Sequence, residues 1–593
     1  MLSYKKIVRI NIVFLSFAFF IFSSYAHNGS HTDSLSTADK IQPGIKLTPK
    51  DSLQAINGLK SEIDKILASK NLKNTKFGIG IYSINNNKYY YNKNIEQLLT
   101  PASTTKLFTT FNALNLLGPD FQIKTSVYTD GKINDGVLHG NIYIVGRGDG
   151  LLSIPDLEEL ADDLANKGIK KIIGNIYADG TYFDTVTNRY IYSGDKDEVE
   201  PVQPITALSL NKNIATILIH TGNVSGKPVS VQVIPSSGAF RVVNNATVSS
   251  VKKVLLKTKI KSQLKSKSKQ RLKIHQKNKS NKLNNKRIKK FRKRTAGIYS
   301  GQYCGQLYGD SRSKKHTGRR RSPSITIGSK LQADGSQEFF INGSLPPGKT
   351  YSYQYFIQNP VLVVAGAFKE RLISGGIQIK GNIGKAALNN QDEKKKPVLL
   401  AEFSRPLTEI LYTLDKNSDN YLAETVFKIA GAYNSNNSNV AKQSRERLFA
   451  TLRNYGIICN DCIINDGCGL SRRNLVTPEA ILSILIKSHK EKFGPQLDSA
   501  LSVAGIDGTL IKRMTGTPAE NNLRAKTGTL KNASALSGYI NTLDGELLAF
   551  SFMFNGNYVN AYKFIENSIG EALSEFKYTK QTLPDNKTEK TKK

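Results

Sequence analysis

Three short strings carry side chains that could share one reaction. They are Ser103-x-x-Lys106 in "PASTTKL", Ser418-Asp419-Asn420 in "KNSDNYLAE" and Lys526-Thr527-Gly528 in "RAKTGTLKNAS". On a helix, residues three apart share a face, so Ser103 and Lys106 would set a hydroxyl beside an amine at a helix N-terminus. A serine hydroxyl is a weak nucleophile near neutral pH and needs an adjacent base. Lysine serves as that base when burial or nearby positive charge lowers its pKa. The positive end of the helix favours the anion developing near Ser103. Alone, Ser-x-x-Lys is better explained as a helix cap, since the pattern occurs by chance in many proteins, but the other two strings change the weighing. Ser418 can pass protons between Lys106 and a departing amine, and Asn420 can hydrogen-bond a substrate's amide backbone. Lys526 and Thr527 offer a cation and a hydroxyl to a terminal carboxylate. Gly528, lacking a side chain, lets an extended substrate approach a strand edge. The backbone N–H groups of Ser103 and Thr529 would then form an oxyanion hole. The chemistry implied is serine acyl transfer.

Elements able to hold these strings are legible around them. Leu53, Ile56, Leu59, Ile63 and Ile66 recur at helical spacing within 52–70. "KFGIGIYSINNNKYYYNKN" reads as a hairpin with an Asn-rich turn. The helix bearing Lys106 should stop at Gly118-Pro119. Short strands dominate from Ile123 to about Ile219, with one helix near 155–166. From Pro397 onward helical and strand patterns alternate, ending in "ALSGYI" and "LLAFSFMFN". This predicts a mixed α/β chain.

Composition narrows the class. The chain has 593 residues and a formal net charge of +37, which first suggests a nucleic-acid binder. However, residues 251–321 hold 26 Lys plus Arg against one acid, Asp310. The rest carries 58 basic and 46 acidic residues, so one segment makes most of the signal. That segment lacks a sustained apolar face and repels itself, which predicts a disordered insertion. A loose contact with an anionic surface is the functional reading of it; specific nucleic-acid recognition is not expected. A reading-frame disturbance in the source sequence is the third reading. Lys5, Lys6 and Arg9 precede an apolar run from Ile10 to Phe22 and the small residues Ser24 and Ala26. This is the layout of a secretory signal, cleaved near Ala26, and the run is shorter than the ~20 residues that span a bilayer. Export permits disulfides. Of Cys304, Cys459, Cys462 and Cys468, the single Cys-x-x-Cys has no second pair or nearby histidine to make zinc persuasive, leaving a local disulfide or free thiols.

The trio in this order is the signature shared by serine β-lactamases and penicillin-binding proteins. The chain resembles the class C low-molecular-mass penicillin-binding proteins, exported D-alanyl-D-alanine carboxypeptidases/endopeptidases. Further strings carry the resemblance: "LGPDF", "PITALSLNKN", "INGSLPPG", "DGCGLSRRNLVTP" and "VAGIDGTLIKRM". So does the 315-residue separation of Ser103 from Ser418. The resemblance implies a β-lactamase/transpeptidase-like domain of antiparallel sheet flanked by helices, interrupted by two nested, strand-rich inserted domains. The expected division is a signal peptide 1–26, a transpeptidase-like part 27–120 and an inserted domain II over 121–222. A nested domain III over 223–348, the second part of domain II over 349–396, the second transpeptidase-like part 397–578 and a polar tail 579–593 follow. It implies peptidoglycan stem peptides as substrates, β-lactams as acylating mimics, and no cofactor or metal. Arg472 and Asp197 are implied substrate contacts, Asp197 for the amine of a diaminopimelate side chain; for Asp197 an ordinary loop acid is the equal alternative. Two departures stand out. Cys468 occupies a place where the family has serine, and "VGRGDGLL" lacks the usual Gly-Asp-Pro, leaving Asp149 without an assigned role. The competing functions are a β-lactamase and a non-enzymatic module binding wall or other polyanions. Against the first, no Glu-x-x-Leu-Asn string lies between Ser418 and Lys526; the second gives no reason for a complete trio.

Overall fold

The computed structural model describes residues 49–196, 199–249, 325–388, 396–436 and 438–578. The secretory-signal stretch 1–26, the basic stretch 251–321, Cys304, Asp197 and the tail 579–593 lie outside the described residues.

Period-two alternation builds the central sheet. Its strands are β1 (Lys76–Ser83), β2 (Lys88–Lys93), β3 (Ser502–Val503), β4 (Arg524–Leu530), β5 (Ala533–Asn541) and β6 (Leu547–Asn555). They are antiparallel throughout, in the order β3-β4-β5-β6-β1-β2. In β6 the side chains of Leu548, Phe550, Phe552 and Phe554 enter one core, and those of Ala549 and Met553 enter another on the opposite face. Burial of each large apolar side chain contributes roughly 1.5–3 kcal/mol, which fixes the strand's register.

Helices cover both faces. α1 (Pro49–Leu67) and a C-terminal helix (Val559–Glu575) supply Ile56, Leu59, Ile63, Ile565, Ile569 and Leu573 to the first core. The helix α2 (Thr105–Leu117) lies in the second core with α3 (Leu407–Lys416), α4 (Asn420–Ala432), α5 (Val440–Asn454) and α6 (Pro478–Lys490). α2 ends at Gly118, φ +84°, where glycine carries no Cβ penalty.

Between α2 and α3 the chain makes two further sheet-and-core groups. Strands Gln122–Thr129, Ile142–Gly146, Ile176–Asp179, Ile383–Lys385 and Val398–Pro406 form one sheet, packed with helices Ile154–Asn166 and Pro360–Ser374. Inside that, Ile214–His220 pairs antiparallel with both Ser230–Ile234 and Thr350–Phe356. Gln337–Leu345 runs parallel to Phe240–Val248 and antiparallel to Ile325–Leu331. These strands share a core around Ile217, Ile219, Phe339 and Ile341. The mixed α/β class read from the sequence is the class observed.

Candidate active site

The three strings converge. Ser103 lies in a 3-10 turn, Ala102–Thr104, that runs directly into α2, so Lys106 sits one turn further along the same face. Lys106 is fully buried, and its Nζ donates to Ser103 Oγ (3.1 Å), Asn420 Oδ1 (2.8 Å) and the Cys468 carbonyl (2.7 Å). Asn420 opens α4, and Asp419 caps that helix by accepting from Leu422 N (3.0 Å). Asp419 also pairs with Lys212 at 2.7 Å. The central residue of Ser-Asp-Asn is thus a cap and brace, leaving Ser418 and Asn420 to face the lysines. Ser418 itself sits at φ +54° and Ala102 at φ +50°, an unfavourable region for non-glycine residues that clusters at functional sites.

Lys526, also fully buried, projects from β4 and donates to Ser418 Oγ at 2.8 Å and to the Thr527 carbonyl at 3.1 Å. Burial and the neighbouring Lys106 pull its pKa down to about 7, against the opposing attraction of Asp415. The two lysines and two serines form a run from Ser103 to Lys106 to Asn420, with Ser418 and Lys526 beside it. Ser103, Ser418, Thr527 and Asn420 remain half-buried and Thr529 is exposed, so this run opens to solvent.

Gly528 has a second reason to be glycine. A Cβ there would stand 2.5 Å from the Pro101 carbonyl oxygen and 3.2 Å from Thr104 N, so its absence lets β4 press against the turn carrying Ser103. The strand edge is also open, because β3 pairs only with Arg524 and Ala525. Thr527 Oγ1 is bonded to Thr509 Oγ1 at 2.8 Å.

Several residues of the site carried no signal in the sequence. Asp415, fully buried at the end of α3, accepts from Thr110 Oγ1 at 2.7 Å; burial pushes its carboxyl up to about 6 while Lys526 and Lys106 oppose the rise. Glu424 lies one turn beyond Asn420 on α4 and accepts from Cys468 N (2.7 Å) and the Tyr192 hydroxyl (2.6 Å). Burial and Asp466 push it up to about 7. Cys468 is buried and reduced; burial raises its thiol pKa against the opposing pull of Lys106, the thiol donates to Asp466 Oδ2 at 3.7 Å, and the carbonyl accepts from Lys106. Its neighbours Cys459 and Cys462 form a disulfide with each other.

Of the two implied substrate contacts, Arg472 is exposed on the loop that follows Cys468. That loop is tied on either side: Ser471 Oγ donates to Asp195, and Arg473 donates to the Gly194 carbonyl at 2.7 Å. Asp149, without a role from the sequence, is a buried partner of Arg405, whose Nε lies 3.0 Å from each of its carboxylate oxygens.

The chain matches the D-Ala-D-Ala carboxypeptidase 3 (S13) family over residues 59–277 and 325–576. It is 27% identical to a D-alanyl-D-alanine carboxypeptidase of Actinomadura sp. over 87% of this chain and 85% of that protein. It is 24% identical to the D-alanyl-D-alanine carboxypeptidase DacB of Haemophilus influenzae, over 83% of this chain and 87% of the relative. In fold it is similar to the crystal structure of penicillin binding protein 4 from H. influenzae, with a TM-score of 0.60 and 21% identity over 87% of this chain and 98% of that one. Half the chain and more lies within the family match, and the buried lysines and half-buried serines of the three strings come together at one place: the chain belongs to the D-Ala-D-Ala carboxypeptidase 3 (S13) family.

Proposed function

We propose that this chain is a serine-type D-Ala-D-Ala carboxypeptidase/endopeptidase in which Ser103 forms an acyl-enzyme with peptidoglycan stem peptides and with β-lactams. One observation carries the reading: Lys106 Nζ has two fixed acceptors, Asn420 Oδ1 and the Cys468 carbonyl, and a third direction aimed at Ser103 Oγ. As a neutral amine, Lys106 keeps its two N–H donors on the fixed acceptors and turns its lone pair to the serine hydroxyl. Ser103 Oγ attacks the carbonyl of the penultimate D-alanine and its proton passes to Lys106. The oxyanion is held by the backbone N–H groups of Ser103 and Thr529. Ser418, bonded to Lys526, returns the proton to the departing amine as the C–N bond breaks. Water then cleaves the ester. Lys526 and Thr527 receive the terminal carboxylate, Asn420 the substrate amide, and the open edge of β4 beside Gly528 pairs with the extended peptide.

Arg472 and Asp197 are proposed as contacts for the rest of the stem peptide; supporting the first, the loop of Arg472 is held on both sides by the 194–195 segment. The first 26 residues act as an export signal, placing the enzyme outside the cytoplasm. Among the described residues no helix is long and apolar enough to cross a membrane. The basic stretch 251–321 makes at most a loose contact with anionic surfaces. Strand pairing supports two nested inserted units, with the inner one widened to include Ile214–His220 and Thr350–Phe356, and Val398–Pro406 assigned to the outer one.

Mass spectrometry after incubation with a labelled penicillin tests the reading. One covalent adduct is expected on the wild type and none on Ser103→Ala; an adduct that persists in the variant overturns it.

A further inference from the structure

Lys106 is held by a carbonyl whose own peptide group is gripped from behind. The Cys468 carbonyl, which accepts from Lys106 Nζ, belongs to the same amide as Gly469 N, and Gly469 N donates to Asp466 Oδ1 at 2.9 Å. Asp466 is fully buried. Its Oδ1 also accepts from Asn474 Nδ2 (2.7 Å), and its Oδ2 from Ser471 N (2.8 Å) and Arg189 NH1 (2.9 Å). Gly469 takes φ +85°, and a Cβ on it would stand 1.9 Å from the Ala102 carbonyl oxygen, so this amide is wedged against the turn of Ser103. Arg189, which is 2% exposed, comes from the inserted region and pairs with Asp195 as well, at 2.7 Å.

We infer that Asp466 is a positioning residue for the reaction: through the Cys468–Gly469 amide it aims and polarises the carbonyl that holds Lys106, and Arg189 sets how much of its charge is delivered. This rests on the proposed roles of Ser103 and Lys106. A carboxylate accepting an amide N–H draws the N–H hydrogen toward itself and leaves the carbonyl oxygen at the other end more negative, because bonds in series polarise one another. That oxygen stabilises the ammonium formed as Lys106 takes the serine proton, without placing a carboxylate in the cleft where a peptide carboxylate must bind. The same bond keeps the carbonyl from rotating away when Lys106 is neutral. Of the other titratable groups, Lys526 on β4 and Asp415 on α3 face Lys106, Glu424 on α4 accepts from Cys468 N, and the Cys468 thiol faces both Lys106 and Asp466, donating to Asp466 Oδ2 at 3.7 Å; the substitutions below leave all four in place.

The test is the second-order rate of acylation by a penicillin, followed from pH 5 to 9, on full-length wild type, Asp466→Asn and Arg189→Gln, with melting temperature recorded for each. The asparagine keeps an oxygen for Gly469 N but removes the charge. Its acid limb should move down by about one pH unit, as expected for losing one charge at short range in a medium of intermediate dielectric, and its plateau rate should fall at least about tenfold. Arg189→Gln leaves Asp466 less neutralised, and its acid limb should move up. Opposite directions cannot come from loosened packing, which would lower the melting temperature and the plateau in both. A limb that stays in place in folded Asp466→Asn, or limbs that move the same way, overturn the inference. If either buried variant is insoluble, Asp195→Asn at the edge of the network decides: it leaves Arg189 to Asp466 alone, so the limb should move down, and an unmoved limb counts against the inference. Loss of the adduct in Ser103→Ala with no pH shift in these variants sinks this inference alone; an adduct surviving in Ser103→Ala sinks the reading beneath it.

Discussion

Lys526 differs from an ordinary lysine in one measurable respect: with its pKa pulled down to about 7, it is mostly neutral above neutrality in the free enzyme. If it receives the terminal carboxylate of the substrate, binding must return a proton to it as pH rises. The apparent KM of a peptide ending in a free carboxylate should therefore climb above pH 7, by up to about tenfold per pH unit. A peptide ending in an amide should not show this slope, and a flat KM from pH 7 to 9 for the free acid would remove Lys526 from that role. The sign for stability is separate. A lysine whose folded pKa is depressed contributes stability above its unfolded pKa and loses it as pH falls through about 7. Asp415, raised to about 6, and Glu424, raised to about 7, act the other way: their stabilising contribution is greatest below the unfolded carboxyl pKa and is lost as pH rises through those values. The site is thus held by groups of opposing pH dependence.

At the scale of elements, the proposed reaction should depend on how closely β4 approaches the turn before α2. Gly528→Ala places a methyl 2.5 Å from a backbone carbonyl oxygen that has no rotamer to yield. The strand and the turn must separate, at a cost of about 1–3 kcal/mol. Penicillin acylation should fall at least about tenfold, since displacement of reacting groups by a fraction of an ångström to one ångström is costly. Gly328→Ala, on the strand Ile325–Leu331 with open space around the new methyl, is the control and should leave acylation unchanged. Equal rates in the two variants would show that the contact at Gly528 does not set the geometry. The short β3 has its own consequence. Because it ends opposite Ala525, the stretch of β4 from Lys526 onward has no β3 partner along that edge.

Across the whole molecule, the segments between α2 and α3 are tied to the helices and loops around the candidate site by charged pairs, most of them largely withdrawn from water. Arg405 meets Glu409, Lys428 meets Asp184, Arg189 meets Asp466, and Lys212 meets Asp419. Phe183, Ile205 and Ala207 pack into the same core as α2 and α4. The segments between α2 and α3 therefore pack against the helices that carry Lys106 and Asn420. The stretch between Ser249 and Ile325 enters and leaves at one end of a single sheet. Both Ala246 and Ile325 stand opposite Gly343, on either side of the strand Gln337–Leu345. Strands sit about 4.8 Å apart, so the two ends are on the order of 10 Å from each other. Replacing residues 250–324 with a flexible linker of about six to eight residues should preserve folding and penicillin acylation while removing most of the excess positive charge. Acylation lost in a soluble, cooperatively melting variant would give the basic stretch a part in the site.

Some of this was fixed by residue order alone. Ser103-x-x-Lys106 is local: three residues along one helical face set hydroxyl beside amine wherever the helix goes. Alternation in "LLAFSFMFN" and the Gly118-Pro119 stop are equally local, since they follow from strand and helix periods. The resemblance of strings such as "DGCGLSRRNLVTP" identified the family, but it left Asp149 unassigned and gave Gly528 only half of its reason. Those answers needed the fold. Asp415, Glu424, Asp466 and Arg189 have ordinary sequence neighbours, and their burial, shifted protonation and mutual bonds exist only because segments hundreds of residues apart exclude water together. Chain order set which groups can react; tertiary packing set their charge states, because desolvation and through-space charge belong to positions in space.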